Sequence, residues 1–217
     1  MKKYEYVLFD LDGTLTESAP GIINSVSYAL QKFGIEVQNK ETLKRFVGPP
    51  LSDAFENFYG FSHAQATKAI EYYREYFKDK GIYENSLYDG IPELLKALSE
   101  AGLKLIIATS KPELFAKRIA AHFGIDKYFS AVIGATMDGS LSAKQDIIAR
   151  VIATQKLSEK ESVIMVGDRH HDIEGAKSNG IDSIGVLYGY GSRNELENAG
   201  ATYIASTPHD VKKFLLG

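Results

Sequence analysis

Two aspartates one residue apart, in Asp10-Leu11-Asp12-Gly13-Thr14, stand directly after the apolar run Tyr4 to Phe9. A carboxylate held beside a cation and an amine can attack phosphorus, and a second carboxylate two residues on can protonate the leaving oxygen and later deprotonate water. Asp10 and Asp12 suit that division of labour. Other polar residues follow other apolar runs in the same way: Thr109, Ser110 and Lys111 after one, Gly167 and Asp168 after another, with Asp172 four residues further and Lys144 opening a helical stretch between them. Acids gathered in one crevice repel each other unless a cation sits among them. Hard oxygen ligands, with few histidines and no cysteine, select Mg²⁺ over zinc. A phosphoryl group in transfer spreads negative charge over its oxygens, and a metal, an ammonium, hydroxyls and loop N–H groups all stabilise that charge.

Those residues need a frame that brings them together. Short apolar runs at Tyr4 to Phe9, Leu103 to Ala108, Ala131 to Ile133, Ser162 to Val166 and Ser183 to Val186 read as buried strands. Between them, helical patterns cover Pro92 to Ala101, Glu113 to Phe123, Lys144 to Gln155 and His171 to Asn179. Alternation of this kind predicts an α/β fold with a doubly wound parallel sheet, in which ligands bind outside the carboxyl ends of the strands. Asp10, Asp12, Thr14, Thr109, Ser110, Lys111, Gly167 and Asp168 follow such ends, and Asp172 and Lys144, at or near the start of the next helical stretches, can join them. Pro92 and Pro112 suit a first helical turn, and Gly102, Gly124 and Gly180 suit the residue past a helix end.

From Thr16 to Leu87 the rhythm changes. No convincing strand is present, and apolar residues recur at helical spacing, as in Ile22, Ile23, Val26, Ala29, Leu30 and Phe33. A crossover between neighbouring strands needs one helix, so this interval reads as an inserted helical domain, 16–87, within a core made of 1–15 and 88–217. Placed above the strand tips, it would act as a lid.

Composition removes several function classes. The 217 residues carry 25 Lys plus Arg against 28 Asp plus Glu, a formal net charge of −3. That balance does not suit wrapping a nucleic acid polymer, which needs a basic face. Zero cysteines exclude disulfides, thiolate metal sites and a cysteine nucleophile. Met1-Lys2-Lys3 starts like the charged part of a signal segment, but Asp10 interrupts the apolar run that follows, and no long uncharged apolar stretch predicts a membrane span. A cytoplasmic protein acting on a small soluble substrate, as a monomer or homodimer, is expected.

The four chemistry-bearing segments resemble, in order, the motifs of the haloacid dehalogenase superfamily. Asp10-Leu11-Asp12-Gly13-Thr14 is similar to the first motif, Thr109 to the second, Lys144 to the third, and Gly167-Asp168-Arg169-His170-His171-Asp172 to the fourth. The resemblance implies that Asp10 is the nucleophile and Asp12 the general acid and base. Mg²⁺ would be held by the Asp10 carboxylate, the Asp12 main-chain carbonyl and Asp168, with Asp172 acting through water or by orienting Lys144. Thr109 and Lys144 would contact the phosphoryl oxygens, and Thr14 and Ser110 are further candidates for substrate binding. The helical insert matches the cap of the subfamily that includes phosphoglycolate phosphatases, and Arg45 occupies the place of its substrate-selecting loop.

The implied activity is a Mg²⁺-dependent phosphomonoesterase of the phosphoglycolate-phosphatase kind, working through an aspartyl-phosphate on a small phosphorylated metabolite. A 5′-nucleotidase, a pyrophosphatase and a phosphomutase share the same parts. A phospho-accepting receiver domain also has an Asp, a hydroxyl and a Lys around Mg²⁺, but Asp12 and the helical insert stand against it. His170 and His171 invite a metal reading, which the divergence of adjacent side chains along a helix disfavours.

Overall fold

A computed structural model describes residues 4–217; the Met1-Lys2-Lys3 segment lies outside the described residues. The chain divides into two compact units, one made of Met1–Thr16 with Leu87–Gly217 and the other of Glu17–Ser86.

The larger unit is built on a six-stranded sheet. In chain order its elements are β1 (Tyr6–Phe9), then, after the excursion through the other unit, α4 (Ile91–Glu100), β4 (Lys104–Pro112), α5 (Glu113–His122), β5 (Phe129–Ala135), α6 (Lys144–Thr154), β6 (Val163–Gly167), α7 (His170–Asn179), β7 (Asp182–Val186), α8 (Arg193–Ala199), β8 (Tyr203–Ala205) and α9 (Pro208–Leu216). The excursion holds β2 (Thr16–Glu17), α1 (Ala19–Lys32), α2 (Leu51–Tyr59), α3 (His63–Phe77) and β3 (Ser86–Leu87), and β2 pairs with β3 as a separate two-stranded ribbon.

The six strands run in the order β5-β4-β1-β6-β7-β8, and every described pairing is parallel. From β1 the chain moves outward through β4 to β5, then returns across β1 to β6 and continues to β8. The order therefore reverses beside β1, and the crevice at such a reversal is where open α/β sheets place ligands. The register sharpens the point. Phe9 lies opposite Ile107 of β4 and Val166 of β6, so the residues just past these three positions emerge side by side.

The apolar runs are strands because both faces are covered. Leu8, Ile106, Ala108, Val163 and Met165 pack against Ile147, Ile148 and Val151 of α6 and Ala176 of α7. Phe9, one residue on and on the opposite face, meets the Phe129 ring edge-on at 6.3 Å. Helix ends follow local chemistry: Pro92 lies in the first turn of α4, and Gly102, Gly124 and Gly180 adopt φ of 84°, 64° and 71°.

One strand runs past the end that the sequence reading gives it. β4 runs on through Thr109, Ser110 and Lys111 to Pro112 because it keeps pairing with β5 across an irregularity between Thr109 and Pro112. Pro112 therefore stands at the N-cap of α5, just before the first helical turn that the sequence suggests for it, and no side chain caps the helix. The edge strand β8 and helices α8 and α9 carry weaker apolar patterns, and neighbours in space decide them.

The smaller unit is helical apart from its half of the ribbon. α1 packs on α3, and α2 packs on α3 and on the 3₁₀ segment Lys40–Phe46. Its core is aromatic: Phe46 meets Phe55 at 5.1 Å and Phe58 at 5.4 Å. α3 starts with a reciprocal cap in which Ser62 and Gln65 satisfy each other's backbone N–H groups.

Candidate active site

The end of β1 delivers Asp10 into the crevice, where the Asp10 N–H donates to the Val166 carbonyl at 3.0 Å and continues the sheet register by one residue. Lys144, the first residue of α6, reaches the same place. Its ammonium lies 2.7 Å from Asp10 Oδ1 and 2.8 Å from Asp172 Oδ1, and donates to the Ala108 carbonyl at 3.1 Å. The two carboxylate contacts are ion pairs, and the Ala108 carbonyl takes the hydrogen bond. The other oxygen of Asp172 accepts from the Arg169 N–H at 3.1 Å, so the start of α7 holds this carboxylate on one side and Lys144 of α6 on the other.

Asp168, fully buried at the tip of β6, is held by two donors. The Thr14 hydroxyl reaches Oδ1 at 3.3 Å and the Tyr190 N–H reaches Oδ2 at 2.8 Å. Glycines make room for it. A Cβ on Gly13, whose φ is +84°, would run into the Asp168 carboxylate; one on Gly189 would meet the Asp168 side chain, and one on Gly191 its carbonyl. Gly167 does the same for Asp172. The close approach of these backbones is what packs three acids into so small a space.

Asp10, Asp168 and Asp172 each present an oxygen within 4.8 Å of the others. Burial raises Asp10, to about 6, with Lys144 opposing and Asp172 reinforcing the shift. Burial likewise holds Asp168 well above the usual carboxylate range, and the charges of Asp172 and Asp10 add to it. Burial disfavours the Lys144 ammonium, but the two facing carboxylates outweigh that and raise its pKa overall. One ammonium does not balance three buried acids, and the residue set fits a hard divalent cation.

Asp12 stands apart. Both of its side-chain oxygens accept from the Lys111 ammonium, at 3.0 and 2.7 Å, which leaves its main-chain carbonyl as what it can offer a cation beside Asp10. Lys111 is buried, and its own N–H donates to Thr109 Oγ at 3.2 Å, linking the general acid candidate to the hydroxyl candidate. Sequence reading placed Lys111 in the pool without a role; its position two residues past Thr109 was the available signal. Ser110 is half-buried in the irregular end of β4. Arg45 belongs to the helical unit, where its guanidinium lies 4.4 Å over the Phe58 ring.

The histidine pair is a correction. The His170 and His171 rings do not diverge: their centroids lie 3.7 Å apart, and with Glu174 they present possible ligand atoms within 4.8 Å of one another. Glu195 Oε1 accepts from the His170 N–H at 3.0 Å and Arg169 Nε at 2.8 Å, and lies 2.9 Å from His170 Nδ1. Nothing in the sequence spacing points to Glu195.

Comparison with known proteins agrees with this geometry. Residues 7–186 match the family described as haloacid dehalogenase-like hydrolase. The chain belongs to this family. A crystal structure of a predicted phosphatase from Clostridium acetobutylicum superposes with a TM-score of 0.96 at 49% identity, covering 99% of both chains. Among curated relatives, a 5′-nucleotidase of Pseudomonas aeruginosa is 46% identical over 89% of this chain and 87% of its own length. The tyrosine-protein kinase PtkA of Mycobacterium tuberculosis is 40% identical over 97% of this chain and 72% of its own. A phosphoglycolate phosphatase of Colwellia psychrerythraea is 29% identical over 97% and 96%. This haloacid dehalogenase-like hydrolase is a phosphatase. Phosphatases of the family use a divalent metal and act on small phosphorylated compounds, and the acid cluster is where such a metal fits. No helix among the described residues is long and apolar enough to cross a membrane.

Proposed function

We propose that the chain is a Mg²⁺-dependent phosphomonoesterase that passes the phosphoryl group through Asp10. The observation that carries this reading is the convergence of Asp10, Lys144, Asp172 and Asp168 at the reversal of strand order, with Asp12 two residues beyond the nucleophile and outside the acid cluster. An Asp10 oxygen attacks phosphorus, the bond to the leaving oxygen breaks, and Asp12 supplies that oxygen with a proton. Asp12 then takes a proton from water, the water oxygen attacks the phosphorus, and Asp10 is released as a carboxylate. Lys144 fixes the direction of Asp10 throughout, and Thr109 offers a hydroxyl to the phosphoryl oxygens. Asp10, Asp168 and the Asp12 main-chain carbonyl would hold Mg²⁺, with Asp172 supporting through Lys144; bound there, the ion supplies the positive charge that lets an anionic nucleophile meet an anionic phosphate. Thr14 serves by steadying Asp168.

Asp10→Asn should lower phosphate release from p-nitrophenyl phosphate by about 10³-fold or more while circular dichroism is unchanged; turnover near wild type would remove the nucleophile. Chelation should abolish the same turnover and added Mg²⁺ restore it, with phosphate appearing free in solution.

For the substrate, the 46% identical relative puts nucleoside 5′-monophosphates first in a screen, with phosphoglycolate beside them. Arg45 of the helical unit is proposed as a selector of the substrate's second polar group. Arg45→Ala should raise KM for the preferred substrate about tenfold and leave kcat on p-nitrophenyl phosphate within about twofold; an unchanged KM places selection elsewhere.

A further inference from the structure

Five residues after β7, Leu187 to Gly191, wrap the tip of β6. Gly189 lies against Asp168 and Gly13, Gly191 against the Asp168 carbonyl, and the Tyr190 N–H donates to the Asp168 carboxylate. Tyr188 sits inside this wrap. Its ring meets Tyr88 at 5.2 Å in an edge arrangement, and its hydroxyl oxygen is shut off from water with no hydrogen-bond partner among the described residues. A buried hydroxyl left unpaired is destabilising, and folded proteins retain such groups where a ligand completes them. A tyrosine hydroxyl keeps its proton near neutral pH, so the group is a donor.

We propose that Tyr188 is a positioning residue whose hydroxyl donates a hydrogen bond to an oxygen that enters the site with the divalent cation beside Asp168, a water of the cation's shell. The inference rests on the cation reading above. Neither oxygen of Asp168 needs this donor, since Thr14 and Tyr190 already serve them. A phenylalanine would pack the same space against Tyr88, so the hydroxyl is not required for folding.

The test is Tyr188→Phe, measured with Mg²⁺ alone by titration calorimetry and by thermal unfolding in chelator. The expected result is a cation-free unfolding midpoint equal to or above wild type, together with Mg²⁺ binding weakened about five- to thirtyfold. A hydroxyl that serves only the fold would give the opposite pair: a midpoint lowered by about 2–4 °C and unchanged Mg²⁺ affinity. That outcome overturns the proposal. Unchanged Mg²⁺ affinity with weaker binding of inorganic phosphate to the Mg²⁺-loaded protein also overturns it, and assigns the hydroxyl to the phosphoryl group instead. Asp168→Asn separates the two readings. If wild type binds Mg²⁺ and Asp168→Asn does not, the cation site stands whatever Tyr188→Phe does; if wild type takes up no Mg²⁺, both fall.

Discussion

Lys144 is the residue on which the acids depend. Buried with two carboxylates at 2.7 and 2.8 Å, it offsets charges that have no other ammonium against them among the described residues. Removing one partner of a buried ion pair leaves the other desolvated and uncompensated, which costs about 3–5 kcal/mol. Lys144→Met should lower stability in urea by that amount in chelator and abolish phosphate release; added Mg²⁺ should recover part of the stability and none of the turnover. Equal stability of variant and wild type in chelator would mean that Asp10 and Asp172 share a proton in its place. Asp12 has its own cation, Lys111, so the proposed nucleophile and the proposed proton carrier each face a separate ammonium.

At the level of elements, the site is made of strand tips and first helical turns. β6 ends in Gly167, and α7 begins two residues after Asp168, so Asp172 folds back over the end of the strand that precedes it. Only a hydrogen fits on Gly167, because a Cβ would occupy the place of the Asp172 carboxyl. Gly167→Ala should push Asp172 off Lys144 and the Arg169 N–H, costing about 1–3 kcal/mol of stability and about 10- to 100-fold in kcat. A variant with wild-type kcat would show that Asp172 is not needed to orient Lys144. Thr109 and Lys111 gain their placement from the unexpected extension of β4, whose irregular end carries both toward the crevice.

For the molecule as a whole, the acid cluster ties folding stability to pH and to the cation. Burial raises Asp10 from an ordinary value near 4 to about 6, and raises Asp168 as well. Through these two carboxyls the folded, cation-free protein binds more protons than the unfolded chain, so their contribution to stability falls as pH rises from about 4 through 6, while His171, lowered by burial, works the other way. A cation that binds only the folded state reverses the loss. Relative to Asp168→Asn, the wild-type unfolding midpoint in chelator should decline between pH 4.5 and about 7, and the wild-type gain from Mg²⁺ should grow over the same range. A Mg²⁺ gain independent of pH would place the ion away from these carboxylates. The division into Glu17–Ser86 and the remainder puts every residue of this cluster in one unit, so its cation response belongs to that unit.

The alternation of apolar runs and helical stretches, and the acids and lysine at their ends, could be read directly, because buried parallel strands need continuous apolar residues and catalytic groups need particular side chains at their tips. Asp10, Asp12, Thr109, Lys144, Asp168 and Asp172 were all visible in that way. Partners were not. That Lys111 takes Asp12, that Glu195 takes His170, and that Tyr188 is left with an unpaired hydroxyl among the described residues depend on segments far apart in the chain. So did the edge strand β8, whose short apolar run becomes a strand only through its neighbour β7. Spacing along a chain reports local geometry, whereas a hydrogen bond across 99 residues exists only once the sheet has set both ends in place.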